Sequence, residues 1–237
     1  TVRAALLDEG FIQGYAEAGE LRPYSRESLL YYGALSHQMA PFVKRLSSPF
    51  CPILNVDVNT DIFWGESSQR TDMAAFLDGV METAIAGVLI KKLPPERELI
   101  ALCLHHYKDM HSAFLLAQGS LRLSLFRDIA CYITRQRPDT AVLAAEAVRF
   151  GAAPYVYVCL RHTRRLFPDE VPEELVAALQ SDEGERLLGV YGLNEAEQRP
   201  WRFDFPDCLF DQAFPERFYA SLDEEERRKV AVNRRVL

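Results

Sequence analysis

At 237 residues, the chain has room for one large domain or two small ones. Hydrophobic residues make up 49% of it and charged residues 26%, which predicts a packed core and excludes global disorder. The net charge of −7 disfavours a protein that binds nucleic acid non-specifically, since such a protein usually carries a basic face.

The five cysteines have no C-x-x-C spacing, so they favour free thiols over a disulfide framework or a zinc knuckle. No apolar run reaches the roughly 18 residues that span a bilayer. The first residues also lack the apolar core of a signal peptide. We therefore expect a cytoplasmic protein that does not associate with membranes.

The first part of the chain, residues 1–95, mixes helical and extended patterns. Residues 24–46 suit a buried strand or a short helix equally well. The other predicted elements, in chain order, are a helix over 2–9, a strand over 11–15, a polar turn over 17–23, a strand over 53–64, a helix capped by Thr71 and a strand over 85–93.

From Glu96 onward, apolar residues recur at helical spacing. Helices are predicted over 96–111, 121–135, 140–150, 155–167 and 173–179. Residues 185–237 are too rich in aromatic residues for a disordered linker and are expected to pack on the body as loops and short helices. The predicted fold class is α+β, with a small mixed β-sheet and flanking helices over 1–95, a helical bundle over 96–180 and an aromatic-rich extension over 181–237.

Polar residues alternate with apolar ones along the 53–64 strand. Asn55, Asp57, Asn59 and Asp61 would share one face of an extended chain. Buried without partners, each would cost a few kcal/mol. They either accept hydrogen bonds from neighbouring loops or bind a hard cation such as Mg²⁺, which takes oxygen ligands.

A second polar group lies on the helix near residue 105. His105 and Asp109 are four residues apart, and Lys108 and His111 three apart, so each pair shares a helix face. The pattern is not H-E-x-x-H. It is typical either of the edge of an anion or metal site, or of a helix whose polar side chains seal an interface through hydrogen bonds.

The helix over 155–167 carries a basic patch formed by Arg161, His162, Arg164 and Arg165. We interpret this patch as a solvated face rather than a nucleic-acid site. The sequence contains no G-x-x-x-x-G-K-[ST] or G-x-G-x-x-G loop for phosphates.

Several of these segments together resemble a family of largely uncharacterised bacterial nucleotidyltransferases whose catalytic unit has a DNA-polymerase-β-like fold. The resemblance covers about residues 1–180. The segments that carry it are Tyr24-Ser25-Arg26, Pro49-Phe50, Asn55 to Asn59, Leu93-Pro94-Pro95, Leu102 to Asp109 and Phe126 to Ala130.

The resemblance implies a role for four residues. Asp57 matches the acidic residue on the later strand, which helps to bind catalytic Mg²⁺, and Asn59 matches the polar residue two positions on. His105 and Lys108 match polar positions of the following helix, where they would contact triphosphate oxygens. The implied substrates are an NTP and an unknown acceptor, and nucleic acid is not expected as a partner.

Family members also place a Gly-Ser turn and an Asp-x-Asp pair on early strands. These would precede the helix that ends near Gly10, so this chain is expected to be an incomplete or degenerate version of the catalytic unit. It is an enzyme if the acidic motif exists in the full protein. The alternative is a non-catalytic binding module derived from the same fold, with a protein partner at the aromatic C-terminal segment.

Overall fold

The computed structural model describes residues 1–65 and 67–236; Glu66 and Leu237 lie outside the described residues. The chain packs as two compact units, one formed by 1–66 with 232–237 and the other by 67–231. The division at 95 and 180 that the sequence suggests remains a prediction about domains. The α+β class is confirmed by the mixture of small sheets and many helices.

The first unit is a small sheet with two helices. Its elements are α1 (Val2–Asp8), β1 (Ile12–Glu17), β2 (Glu20–Pro23), α2 (Arg26–Leu35), β3 (Phe42–Arg45) and β4 (Ile53–Val56). The strands lie in the order β2-β1-β3-β4. The mixed sheet expected from the sequence is antiparallel in every pairing of these described strands. A tight turn joins β1 to β2 and a short loop joins β3 to β4, whereas β2 and α2 lie between β1 and β3 in the chain.

The predicted polar turn over 17–23 is a β-hairpin. Strands β1 and β2 are joined by Ala18 and Gly19, whose φ angles are 49° and 80°. Two successive positive φ values match the right-handed twist of the strands that they join. The residues before Pro23 therefore pair with β1 instead of forming an open turn.

Strand β4 is shorter than the strand predicted over 53–64. It ends at Val56, and beyond it only Asn59 forms an isolated bridge, with Gln38. Asp61 accepts a hydrogen bond from the backbone N–H of Phe63 at 3.0 Å. Such a side-chain-to-backbone bond competes with the sheet ladder, so the chain turns here despite its β-forming residues.

The second unit opens with the short helix α3 (Met73–Phe76) and a two-stranded hairpin, β5 (Met81–Ile85) and β6 (Val88–Lys92). Asp72, not Thr71, caps α3. The single strand predicted over 85–93 is the second arm of this hairpin, and its first arm begins at Met81.

The rest of the second unit is mainly helical. Its long helices are α4 (Pro95–His111), α6 (Leu123–Gln136), α7 (Thr140–Arg149) and α8 (Ala153–Leu166). The smaller elements are α5 (Ala113–Leu116), α9 (Glu173–Ala177), α10 (Asp182–Leu188), β7 (Val190–Tyr191), a 3₁₀ turn (Glu195–Glu197), β8 (Arg199–Pro200), α11 (Phe205–Phe210), α12 (Phe214–Ser221) and α13 (Glu224–Val236). Of α13, residues 224–231 belong to this unit.

Helix α4 is the centre of this unit and packs against α6, α7 and α8. Leu99, Ile100, Cys103 and Leu104 are almost wholly buried on it, as the helical spacing predicts. The predicted helices over 96–179 are therefore confirmed to within a few residues. The aromatic tail folds as the expected short helices, with Phe214 and Phe218 buried.

All five cysteines are free thiols. Among the described residues, no helix combines the length and apolar character needed to cross a membrane.

Candidate functional site

Asp57 follows the last residue of β4 in the first unit. The chain stays extended after the strand, because Met39 donates a backbone hydrogen bond to Val58 at 2.8 Å and Thr60 donates one to His37 at 2.7 Å. Asp57 and Asn59 are both exposed. Alternation along an extended segment puts them on the same side. The structure thus brings these two predicted site residues together at one accessible edge.

Two tyrosines lie beside Asp57. The rings of Tyr24 and Tyr32 are 5.5 Å apart. Burial raises the pKa of both hydroxyls, and the negative charge of Asp57 raises them further. Both hydroxyls are therefore protonated at neutral pH and can donate hydrogen bonds near the carboxylate.

The atoms at this edge that could bind a metal ion are all oxygens. They belong to the Asp57 carboxylate, the Asn59 amide and the two tyrosine hydroxyls. Mg²⁺ prefers oxygen ligands and keeps several waters when one or two carboxylates hold it. Asp61, which was expected to share the face, uses its carboxylate to hold the Phe63 N–H. The residues present therefore fit one hydrated Mg²⁺ rather than a pair of ions.

Helix α4 in the second unit holds the other predicted residues. His105 Nε2 lies 3.8 Å from Asp109 Oδ2, with the His105 side chain more than half exposed and that of Asp109 mostly covered. Burial raises the pKa of Asp109, and the charges of His105 and Lys108 oppose that rise. Lys108 is half-buried and forms no ion pair with a described residue. His105 and Lys108 are thus placed together at the same turn.

His106 completes this polar group from the buried side. Only 4% of it is exposed, and neither ring nitrogen has a hydrogen-bond partner among the described residues. Its Nε2 lies 4.0 Å from Asp128 Oδ2 on α6. Burial, with a smaller contribution from His105, lowers the pKa of His106 to about 4. The ring is therefore neutral at pH 7.

One ligand atom from each of His105, His106 and Asp109 lies within 4.8 Å of the others. Imidazole with carboxylate is a donor set that suits Zn²⁺ and similar ions better than Mg²⁺. This turn of α4 can thus hold a cation as well as bind an anion through Lys108.

His111 does not belong to this group. It is 1% exposed, and its ring stacks on Tyr107 with centroids 3.9 Å apart. Nδ1 lies 3.1 Å from the carbonyl oxygen of Tyr107. Burial lowers the pKa of His111 to about 4. Its role is in the core, although helical spacing makes it a neighbour of Lys108.

A family described as uncharacterised nucleotidyltransferases matches residues 1–168. The match covers well over half of the chain and includes both polar groups. The chain belongs to this family. No curated protein and no solved structure matches the chain.

Membership of this nucleotidyltransferase family supports the resemblance drawn from the sequence motifs. The four predicted residues fall into two groups, with Asp57 and Asn59 in the first unit and His105 and Lys108 in the second. Their roles remain predictions.

Sequence reasoning missed the contributions of Tyr32 and His106. Tyr32 lies on α2, far along the chain from Asp57, and only the folded structure brings its hydroxyl near that carboxylate. His106 was visible as a second histidine beside His105, but helical spacing alone did not show that it is buried without a hydrogen-bond partner among the described residues.

Proposed function

We propose that the protein transfers a nucleoside monophosphate from an NTP to an acceptor hydroxyl, phosphate or peptide group with the help of Mg²⁺. In this reaction an acceptor oxygen bonds to the α-phosphorus, the bond between that phosphorus and the α–β bridging oxygen breaks, and pyrophosphate leaves with the electron pair. The observation that carries the proposal is the exposed Asp57 carboxylate at the end of β4, within the part matched by a nucleotidyltransferase family.

Asp57 is proposed as the metal ligand, with Asn59 beside it. Bound Mg²⁺ would neutralise charge on the triphosphate and polarise the oxygens of the reacting phosphoryl group. Tyr24 and Tyr32, held protonated, would donate hydrogen bonds near the same carboxylate. Such hydrogen bonds would orient the Asp57 side chain without neutralising its charge.

Lys108 and His105 are proposed as contacts to triphosphate oxygens. The charge of Lys108 lowers the pKa of the Asp109 carboxyl, but burial outweighs this effect and keeps that pKa raised. A half-buried ammonium with a weak internal partner is suited to an external anion, because a charge-assisted hydrogen bond to phosphate is roughly twice as strong as a neutral one.

The second candidate function is binding without transfer. The 237 residues contain no Asp-x-Asp pair. A single carboxylate can hold a hydrated Mg²⁺ but not two ions. A protein with one such carboxylate would bind Mg²⁺ and NTP without cleaving the bond between the α- and β-phosphates. A protein partner for such a module would meet the aromatic C-terminal segment, where Phe210 is 67% exposed.

Mg²⁺ together with an NTP is expected to raise the melting temperature by about 5 °C at saturating ligand, because binding to the folded state adds stability in proportion to the logarithm of ligand excess. Asp57→Asn should remove the shift, since it keeps the shape of the side chain and removes its charge. Asp72→Asn makes the same change at the cap of α3 in the second unit. It is the matched control and should retain the shift.

Thermal unfolding followed by fluorescence measures this, with each of the four NTPs. If none of them shifts the melting temperature, the proposed function fails for this chain. Release of pyrophosphate from a labelled NTP then separates transfer from binding, because the binding module would show the thermal shift without any release.

Lys108→Ala is expected to weaken ATP binding about tenfold while leaving adenosine binding unchanged, since one charge-assisted contact to phosphate is lost. Isothermal titration measures both ligands. Lys91→Ala, an exposed lysine on β6, removes the same charge and should have no effect. Equal weakening by the two variants would show that only the net charge matters and would contradict a specific contact.

A further inference from the structure

A cavity of about 650 Å³ lies in the second unit between helix α8 and the 201–205 segment. The helix side is formed by Arg161, His162, Arg164 and Arg165. This is the basic patch that the sequence suggested to be a solvated face. In the structure the patch lines a concave surface, and the volume of this cavity lies in the range that is usual for small-molecule sites.

The three arginines differ in how firmly they are held. Arg164 Nε lies 2.5 Å from a carboxylate oxygen of Glu173, and Arg164 also donates to the Pro168 carbonyl at 3.0 Å. Arg165 lies 3.7 Å from Asp204. Arg161 is exposed and has no hydrogen bond or ion pair within the described part of the chain. Its guanidinium is the cation available to a ligand.

Glu185, a carboxylate that senses the charge of Arg161, is already hydrogen-bonded to other residues. Glu185 accepts hydrogen bonds from the Tyr157 hydroxyl at 2.5 Å and from Gln180 at 2.8 Å. Hydrogen bonding by these two residues is the main reason that the pKa of Glu185 is lowered, and Arg161 adds a smaller effect. Arg161 can therefore bind an anion without breaking an internal ion pair.

His162 supplies a buried polar group in the same wall. It is 9% exposed, lines the cavity, and has no hydrogen-bond partner among residues 1–65 and 67–236. Its ring stacks on Phe205 with centroids 3.8 Å apart. Its ring nitrogens are not among the buried atoms left without a partner, so they remain accessible to a ligand atom in the cavity. Since burial lowers the pKa of His162 to about 3, the neutral ring offers one donor and one acceptor.

The opposite wall is aromatic. Trp201 and Phe203 line the cavity and are only partly covered. The ring of Trp201 packs against the rings of Tyr191 and Phe218, at centroid distances of 5.4 and 6.3 Å. A fixed aromatic face of this kind stacks well with a flat ring, and base–aromatic stacking tolerates any nucleobase.

We propose that this cavity binds a small organic phosphate that carries a flat ring, of the nucleoside monophosphate class. Arg161 holds the phosphate, His162 hydrogen bonds to the ligand, and the ring lies against Trp201. The site is independent of the proposed nucleotidyl transfer, and part of it lies beyond residue 168, where the family match ends.

The two tryptophans of the chain make a direct test possible, because Trp201 lines the cavity and Trp64 lies in the other unit. In the variant Trp64→Phe, Trp201 is the only fluorophore excited at the red edge. AMP, added in the presence of EDTA, should quench this fluorescence with saturation. Ribose 5-phosphate and adenosine should each bind at least about tenfold more weakly, since each lacks one of the two recognised parts.

Arg161→Ala should raise the Kd for AMP about tenfold, and Arg135→Ala, an exposed arginine on α6 without an ion pair in the described chain, should leave it unchanged. Calorimetry on the unaltered protein should give the same Kd and covers the case in which Trp64→Phe does not fold. EDTA removes Mg²⁺-dependent binding, so failure here is distinct from failure of the proposed function.

Three results would overturn the proposal. The first is neither quenching nor heat with AMP at millimolar concentration. The second is an equal loss of affinity in Arg161→Ala and Arg135→Ala. The third is binding of a short single-stranded oligoadenylate more than about tenfold tighter than AMP, which would assign the cavity to nucleic acid instead.

Discussion

Replacing Arg97 with methionine should lower the free energy of unfolding of the second unit by about 3 to 5 kcal/mol, the usual effect of removing one partner of a buried ion pair. Arg97 lies in the first turns of α4 with only 12% of its side chain exposed, and Glu146 on α7 is 18% exposed. Nε of Arg97 lies 2.5 Å from Oε2 of Glu146. Loss of the guanidinium leaves this carboxylate covered and without its main cation.

The same guanidinium also holds the end of α3. Its Nη1 donates to the carbonyl oxygens of Ala75 and Phe76, each at 3.1 Å, and of Asp78 at 2.5 Å. The last carbonyls of a helix have no partner within the helix, so Arg97 supplies a hydrogen-bond donor there. Among these carbonyls, that of Ala75 also accepts a weaker bond from the Asp78 N–H, at 3.4 Å. Burial would raise the pKa of Glu146, but the hydrogen bond and charge of Arg97 outweigh burial and lower it.

Urea unfolding of Arg97→Met, Glu146→Gln and the double variant measures both the total effect and the coupling between the two side chains. Arg135→Met provides the control for loss of a surface charge and should change stability by less than about 0.5 kcal/mol. A cost below about 1 kcal/mol for Arg97→Met, or no coupling with Glu146, would contradict the role given to this network.

Lowering the pH from 7.5 to 5.5 should destabilise the second unit by about 3 kcal/mol, since three buried histidines each contribute about 1 kcal/mol. Burial lowers the pKa of His106 and His111 to about 4 and that of His162 to about 3. In the unfolded chain the pKa of histidine is near 6.5. Between pH 6.5 and 4 the unfolded state therefore binds more protons than the folded state, and stability falls as the pH falls.

The raised pKa of Asp109 acts in the opposite direction, because the folded state takes up that proton at a higher pH than the unfolded chain does. One such group offsets part of the effect of three histidines.

His162→Phe keeps a ring against Phe205 and removes one titrating group, so the loss of stability between pH 7.5 and 5.5 should shrink by about a third. Equilibrium unfolding at the two pH values measures this, with Arg135→Met as the variant whose pH dependence should match that of the unaltered protein. Equal stability at both pH values would show that the histidines are solvated in the native state.

Local patterns in the sequence predicted the helical part of the fold well. Helices α4, α6, α7 and α8 begin and end close to the predicted residues, because apolar spacing and helix-ending residues are local properties. Extended segments were predicted less well. The strand expected over 53–64 ends at Val56, and the chain turns at Asp61, whose carboxylate accepts a backbone hydrogen bond. The strand expected over 85–93 is one arm of a hairpin.

The same division holds for the candidate site. Asp57, Asn59, His105 and Lys108 were named from their types and positions, and the structure places each pair at one accessible or half-buried edge. The neighbours of these residues depend on how distant segments pack. Tyr32 beside Asp57 and Asp128 beside His106 come from elements that no spacing rule connects.

The sequence by itself determined the family and the α+β fold class of the protein, since the matched motifs and the helical periodicity are both local properties of the sequence. Only the tertiary structure decided which polar groups are buried without partners. It turned a basic patch on α8 into one wall of a cavity, because the 201–205 segment packs opposite that helix. The physical reason is that burial and pairing depend on contacts between residues far apart in the chain, whereas secondary structure depends mainly on neighbours.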